Sequence, residues 1–241
     1  QKIKHHFIQN ISINDSYNVS KFEIDANKKI NELFKIYNKI IVVGGSGLYA
    51  NALCNGIDDI PAISENTRDK IQELYQNKGI EYLRNILYKK DKMYFNSVDL
   101  QNPRRIIRAL EVIYETNKKF SYFRKNTTKK RDYKIIKIGL KIDRDSLYER
   151  INKRVDLMIK LGLINEVKSL MKHKNKNALK TIGYNEIFDH IEGKLSLDKA
   201  IEEIKKNSRR FAKRQITWLK RDNEIKYFHP KNTDKIIKFI E

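Results

Sequence analysis

Three glycines and a serine follow a short run of β-branched residues, and this segment has the clearest chemical meaning in the chain. Ile40-Ile41-Val42-Val43 predicts a strand, Gly44-Gly45-Ser46-Gly47 a turn, and the residues to about Asn55 a helix. Glycines let the backbone approach a ligand, and a helix N-terminus offers free N–H groups and the positive end of its dipole. The turn therefore predicts a site for a phosphorylated ligand, and the alternative is a tight turn that holds none.

One arginine lies inside an apolar helix stripe. Leu147, Ile151 and Met158 recur at helical spacing. Arg154 falls on the same face, and Arg150 lies one turn earlier at the edge of the stripe. A guanidinium among core residues needs a carboxylate or phosphate partner, and two arginines at i and i+4 can grip a diphosphate. The alternative is a structural ion pair with an acidic residue elsewhere.

Two clusters of cations lie on other predicted helices. The first crowds a helix start, where cations oppose the dipole, so phosphate contact explains it better than local stability does; it comprises Arg104, Arg105 and Arg108. The second lines a long C-terminal helix beside Trp218; it comprises Lys206, Arg209, Arg210, Lys213, Arg214, Lys220 and Arg221. A basic stripe with an aromatic neighbour is typical of RNA-binding proteins, and a merely solvated face is the alternative.

The net charge of +21 indicates a polyanionic partner. A codon bias toward A and T, which enriches lysine throughout a chain, is the alternative source of part of that charge. Cys54 is the only cysteine, which excludes an internal disulfide or a cysteine-based zinc site and fits a reducing, cytoplasmic location. No apolar run is long enough to cross a bilayer, so a membrane partner is not expected.

The order of the predicted elements indicates an α/β core that is split by a helical insertion. Residues 62–132 read as all-helical, with Gly79 ending one helix and Pro103 opening another. Ile136 to Ile142 alternate as a strand does, and Ile225 to Phe228 predict a last strand. The predicted core is therefore 1–61 with 133–241.

Four segments together resemble the tRNA dimethylallyltransferases, also called tRNA isopentenyltransferases. They are Ile41–Tyr49, Pro103–Val112, Ile182–Tyr184 and Ala212–Leu219, in the order and spacing of that family. The resemblance implies transfer of a dimethylallyl group from its diphosphate to the exocyclic amine of the adenosine beside the tRNA anticodon. It implies a monomeric enzyme with a nucleotide- and ATP-binding, P-loop-kinase-like core with a parallel sheet. The insertion 62–132 would contact the anticodon stem-loop, and Mg²⁺ would accompany the diphosphate.

The resemblance also implies roles for single residues. Arg154 matches the catalytic arginine that neutralises the diphosphate, and Arg150 would bind the same group. Ser46 matches a threonine near the target nucleotide, and Arg68 a tRNA-contacting arginine. The remaining positions match tRNA-contacting segments: Arg104, Arg105, Ile106, Ile107, Arg108, Lys180, Thr181, Ile182, Gly183, Tyr184, Asn185, Lys213, Arg214, Gln215 and Lys220.

The printed sequence departs from the family pattern at its start. Family members begin with a P-loop and a segment whose aspartate acts as general base, and Gln1 falls after both. The sequence therefore predicts a fragment that lacks these groups. A non-catalytic RNA-binding remnant is the alternative function, and a nucleotide-handling P-loop enzyme of another class is a third.

Overall fold

The computed structural model describes residues 3–125 and 127–241, which fold as two compact units. The first combines the residues up to Leu53 with Asp132–Glu241, and the second is Cys54–Arg131. The sequence placed the start of the insertion at residue 62, but the structure includes 54–61 in the second unit. The reason is local pairing, because the Lys129 backbone N–H donates to the Asn55 carbonyl over 2.8 Å.

The first unit contains most of the helices and the sheet. Its elements are α1 (Val19–Phe34), α2 (Gly47–Asn55, which runs across the boundary), β1 (Ile138–Leu140), α7 (Arg144–Lys160), α8 (Leu163–Ser169), two 3₁₀ turns (Met171–His173 and Asn177–Leu179), α9 (Tyr184–Ile191), α10 (Leu197–Leu219), β2 (Lys226–Phe228) and α11 (Thr233–Ile240). Packing of α10 against α7 and α9 buries the main core of this unit, around Val155, Ile187 and Ile204.

The second unit is helical, as the sequence predicts. Its elements are α3 (Glu65–Lys90), α4 (Lys92–Phe95), α5 (Pro103–Thr116) and α6 (Phe120–Phe123). Leu83, Leu87, Ile106 and Leu110 are fully buried where α3 packs against α5. Gly79 interrupts α3 with a φ of 75°, a conformation that glycine adopts without strain, which confirms the predicted break there.

The two strands pair in parallel, which confirms the predicted α/β class. Ile138 lies opposite Lys226, and Gly139 lies opposite Tyr227. A Cβ atom on Gly139 would lie 2.6 Å from the Tyr227 ring, so only glycine lets this ring cover the strand. The strand β2 agrees with the predicted 225–228, whereas β1 is shorter than the predicted 136–142.

The predicted strand at Ile40–Val43 is wrong for this structure. These residues are irregular, and Ile41, Val42 and Val43 are 81%, 59% and 89% exposed. A strand needs a hydrogen-bonded neighbour, and within the described residues the sheet consists of β1 and β2. Strand propensity alone does not supply that neighbour.

None of the helices in the described part of the chain is long and apolar enough to span a membrane.

Candidate functional site

The glycine turn leads directly into α2. The Ala50 N–H donates to the Ser46 carbonyl over 3.0 Å, so Ser46 is the residue that opens this helix. The Ser46 side chain is exposed, and the first turn of α2 contains no acidic residue. The free N–H groups of this helix end therefore face no competing carboxylate from the first turn, which suits an anionic ligand.

The C-terminal part of α10 holds the glycine turn. The Gln215 side-chain amide donates to the Gly45 carbonyl over 2.7 Å. A Cβ atom on Gly47 would lie 2.2 Å from Cδ2 of Trp218, so the indole packs directly on the Gly47 backbone. Close packing thus explains Gly45 and Gly47, whereas a Cβ atom on Gly44 would meet nothing within 4 Å.

Trp218 separates two open clefts. The basic cleft, of about 300 Å³, is lined by Lys213, Arg214, Thr217, Trp218 and Arg221. The second cleft, of about 280 Å³, is lined by Leu48, Asn51, Trp218, Arg221 and Asp222. Three cations, a hydroxyl and an indole in the basic cleft form a surface that suits the phosphates and bases of RNA.

An ion-pair network fastens the end of α10 to the sheet. Lys137 donates to Asp222 over 2.8 Å and to Glu224 over 2.7 Å. Burial alone would raise the pKa of Asp222, but the hydrogen bonds from Lys137 and the Glu224 backbone hold that pKa below its usual value. Burial would likewise lower the pKa of Lys137, but the two carboxylates raise it above its usual value. Both groups are charged at neutral pH, so the ion pair between Lys137 and Asp222 persists at the edge of the second cleft.

The structure corrects the placement of Arg154. The residue of α7 that is buried is Val155, and the side chains of Arg150 and Arg154 are exposed. Helical spacing identified a shared face but not which side of the helix meets α10. Neither arginine has a hydrogen bond or ion pair with any residue in the described part of the chain, so the structural ion pair considered as an alternative is not formed there. Both guanidinium groups are therefore available to an anionic ligand.

The cations of α10 divide into two groups. Arg209 donates to Asn152 over 2.7 Å, and Lys205 pairs with Asp156 over 2.9 Å, so these two residues tie α10 to α7. The cations farther along the helix are exposed; they are Arg210, Lys213, Arg214, Lys220 and Arg221. The sequence treated the stripe as one surface, but Lys206 pairs with Glu203 over 2.8 Å, so only the exposed group is open to a ligand.

The second unit contains the other predicted arginines. Arg104 and Arg105 are exposed on the first turn of α5, and Arg68 is exposed on α3. Arg108 is partly neutralised by Glu111 at 3.2 Å. Ile106 is fully buried and Ile107 is half-buried in the core of this unit. Ile106 therefore cannot itself touch an RNA in this conformation, and it serves to hold its arginine neighbours in place.

A buried carboxylate organises the segment Lys180–Asn185. Glu186 accepts from the Gly183 N–H over 2.8 Å and from the Asn207 amide over 2.7 Å. Gly183 is buried with a φ of 98°, which favours glycine. Lys180, Thr181 and Asn185 are exposed, while Ile182 and Tyr184 are half-buried. Glu186 is not among the predicted site residues, although a glutamate three residues after a helix start is a known capping signal.

Tyr184 is held by a hydrogen bond as well. Its hydroxyl donates to the Glu166 carboxylate. This hydrogen bond and partial burial raise the pKa of Tyr184 to about 12, so the phenol stays protonated and keeps donating. This hydrogen bond therefore anchors the hydroxyl end of Tyr184 beside the exposed part of the segment.

We expect Glu186→Ala to lower the free energy of unfolding by about 2 kcal/mol, because the Gly183 N–H and the Asn207 amide would lose a buried partner. Urea denaturation followed by circular dichroism measures this change. Glu202→Ala, an exposed position on α10, is the control and should change the free energy by less than about 0.5 kcal/mol. Equal effects of the two substitutions would contradict the organising role of Glu186.

Known proteins are similar to this chain over most or all of its length. The family model described as IPP transferase matches residues 1–222. A tRNA dimethylallyltransferase of Christiangramia forsetii is 48% identical over 238 residues, which cover 98% of this chain and 79% of that protein. A tRNA dimethylallyltransferase 1 of Bacteroides fragilis is 40% identical over 241 residues, which cover 100% of this chain and 80% of that protein.

Solved structures are similar over nearly the whole chain. A tRNA isopentenylpyrophosphate transferase from Bacillus halodurans gives a TM-score of 0.66 at 33% identity, covering 99% of this chain and 77% of that chain. A tRNA isopentenylpyrophosphate transferase from Staphylococcus epidermidis gives 0.64 at 29% identity, covering 99% and 80%. A eukaryotic dimethylallyltransferase acting on tRNA gives 0.69 at 24% identity, covering 90% and 56%, a likeness of fold alone. These structural similarities confirm the predicted P-loop-like core.

Proposed function

This chain belongs to the IPP transferase family, and from that membership we propose that it transfers a dimethylallyl group from dimethylallyl diphosphate to tRNA. The acceptor is the exocyclic amine of the adenosine beside the anticodon. A bond forms between that nitrogen and the first carbon of the dimethylallyl group, and the bond from this carbon to the diphosphate oxygen breaks. The diphosphate leaves with the electron pair, and the proton lost by the amine passes to the departing diphosphate or to water.

The basic cleft on α10 supports this function most directly. Its cations lie beside the Trp218 indole, which packs on the glycine turn at Gly47. An RNA bound in this cleft would therefore reach the turn that contains Ser46. Ser46 would then lie near the target nucleotide with its hydroxyl free to hydrogen-bond it. A base in the reacting position has to leave its stack, as in other base-modifying enzymes.

Arg150 and Arg154 would bind the diphosphate. Negative charge grows on the leaving group as the carbon–oxygen bond breaks, and a guanidinium in contact with that group stabilises the charge. The two exposed side chains on α7 have no partner within the described residues, so they lose no ion pair when they bind an anion.

The exposed arginines of the second unit would bind the anticodon stem-loop. Arg68, Arg104 and Arg105 have the charge and exposure that phosphate contacts require. Ion pairing with Glu111 makes Arg108 a weaker candidate than these three.

Magnesium would arrive as part of the diphosphate substrate. Among the described residues, no group of three or more histidine, cysteine or acidic side chains is placed to hold a metal ion. Magnesium commonly binds through substrate phosphates and a small number of carboxylates, so this arrangement suits a Mg²⁺–diphosphate complex. We further propose that the protein works as a monomer in the cytoplasm, where tRNA and the diphosphate are both present.

The decisive experiment combines the full-length protein with an unmodified tRNA transcript, Mg²⁺ and labelled dimethylallyl diphosphate. We expect label in the tRNA, because the adenosine amine is the acceptor. A matched transcript with guanosine in place of that adenosine has a carbonyl oxygen where the acceptor amine stands, and its own amine lies on another ring carbon, so it should take up no label. Retention of tRNA on a filter is measured in parallel.

The outcomes of this experiment separate the candidate functions. Label in both transcripts would contradict the proposed acceptor. Retention of tRNA without label would favour the alternative function, a non-catalytic RNA-binding protein. The exposed cations of α10 suit that function equally well. ATP hydrolysis without RNA binding would favour a nucleotide-handling enzyme of another class.

Removing the cations of the basic cleft should weaken tRNA binding in a salt-dependent way. Each phosphate contact contributes a slope of roughly 0.7 to 0.9 in a plot of log affinity against log salt. We expect the Lys213→Ala/Arg214→Ala double variant to reduce the slope by about 1.5. Filter binding between low and physiological salt measures this slope. The double variant Lys168→Ala/Lys172→Ala changes the charge equally at exposed positions elsewhere, and an equal loss there would exclude the cleft as the specific site.

A further inference from the structure

The glycine turn is anchored by two side chains of one helix. Gln215 and Trp218 lie three positions apart on α10, so they share one side of the helix and reach the turn together. Gln215 holds the Gly45 carbonyl by a hydrogen bond, and Trp218 covers the Gly47 backbone. Both contacts join parts of the first unit that are distant in sequence.

The contacts with Gln215 and Trp218 leave no room for a side chain at Gly45 or Gly47. None of the glycines in the turn has a positive φ, so backbone freedom is not the reason for glycine here. A methyl group on Gly47 would collide with three carbon atoms of the indole, at 2.2, 2.4 and 2.6 Å. A methyl group on Gly45 would lie 2.3 Å from the Gln215 amide nitrogen. A methyl group at either glycine would therefore displace a side chain that contacts the turn.

We propose that Gln215 and Trp218 are positioning residues that hold the glycine turn, and with it Ser46, for the transfer reaction. Family resemblance suggested that Gln215 contacts tRNA; the structure instead assigns its amide to Gly45. This inference rests on the proposed function, since it gives the turn a part in transfer. The inference adds that the glycine turn and the end of α10 keep the same relative position during the reaction.

The Trp218 indole links the glycine turn to RNA binding, because it belongs to both contact surfaces. Trp218 lines the basic cleft with one part of its surface and covers Gly47 with another. A ligand in the basic cleft therefore touches the same ring that seats the turn. Binding of RNA at Lys213 and Arg214 would thereby reinforce the placement of Ser46.

Trp218 is the only tryptophan, so its fluorescence reports on the contact directly. We expect Gly47→Ala to shift the emission maximum to longer wavelength, because the added methyl group displaces the indole toward solvent. Gly44→Ala is the matched control and should leave the emission unchanged, because its methyl group meets no atom. Unshifted emission in a folded Gly47→Ala protein would overturn the proposed packing.

The kinetic test uses Gln215→Met, which keeps the length of the side chain and removes the donor. We expect kcat for transfer to fall about fivefold to tenfold, the loss expected for one hydrogen bond, while the Kd for tRNA stays within about twofold. A Kd that rises with kcat unchanged would show a direct tRNA contact and would overturn the positioning role.

A conservative variant separates positioning from a general loss of folding. Trp218→Phe keeps an aromatic ring for the Gly47 backbone and should lower kcat less than Trp218→Ala, which removes the ring. Equal losses of kcat in the two variants, when circular dichroism shows both proteins folded, would contradict the inference. A full-length wild-type protein that puts no label into tRNA would contradict the proposed function itself. A wild type that labels tRNA, together with a fully active Gln215→Met variant, would contradict only the positioning role.

Discussion

Arg154→Ala is expected to lower kcat for dimethylallyl transfer by about 100-fold or more while tRNA still binds. Loss of one preorganised group that stabilises developing negative charge typically has an effect of this size. Arg154 is exposed on α7 and has no partner among the described residues, so its removal leaves no unpaired acid and should not weaken the fold. Single-turnover labelling of the tRNA, with filter binding in parallel, measures the two effects separately.

Two further variants sharpen this test. Arg154→Lys keeps the charge but loses the planar pair of donors, so its kcat should lie between those of the wild type and Arg154→Ala. Lys153→Ala removes a neighbouring exposed cation that pairs with Glu149, and it should transfer at nearly the wild-type rate. If Arg154→Ala also kept its kcat, the role of Arg154 at the diphosphate would have to be abandoned.

Asp91→Ala is expected to lower the free energy of unfolding by about 3 kcal/mol, the largest stability effect we predict. Asp91 is fully buried between α3 and α4. Its carboxylate accepts from the Tyr94 N–H over 3.1 Å, from the Ser121 N–H over 2.8 Å and from the Ser121 hydroxyl over 2.9 Å. Alanine would leave these donors buried without a partner, and each such donor costs about 1–3 kcal/mol.

Urea denaturation of the whole chain, followed by circular dichroism, measures this loss. Asp91→Asn keeps one acceptor oxygen and should lose about half as much stability as Asp91→Ala. Asp69→Ala, an exposed position on α3, serves as the control and should change the free energy by less than about 0.5 kcal/mol. A midpoint for Asp91→Ala as high as that of the control would mean that the carboxylate does not hold α3 and α6 together.

Local signals in the sequence predicted two helix boundaries of the insertion. Gly79 breaks α3, and Pro103 opens α5. Each of these signals acts within one turn of the backbone. Their effect therefore does not depend on which distant element lies nearby.

Burial was harder to predict than helicity. The stripe of Leu147, Ile151 and Met158 correctly placed a helix, but Val155 and not Arg154 lies in the core. Periodicity shows which residues share a face, whereas the neighbouring helix decides which part of that face is covered. The run Ile40–Val43 failed as a strand for the related reason that pairing needs a second strand.

The sequence by itself determined the excess of positive charge, the α/β class, the helical insertion and the motifs of the family, because composition and short spacings suffice for these. Only the tertiary structure decided that Gln215 holds Gly45, 170 positions away, that Glu186 joins Gly183 to Asn207, and that Asp91 holds Ser121. A side-chain hydrogen bond depends on distance and direction within tenths of an ångström. Packing of whole helices sets those quantities, and no local pattern of residues encodes them.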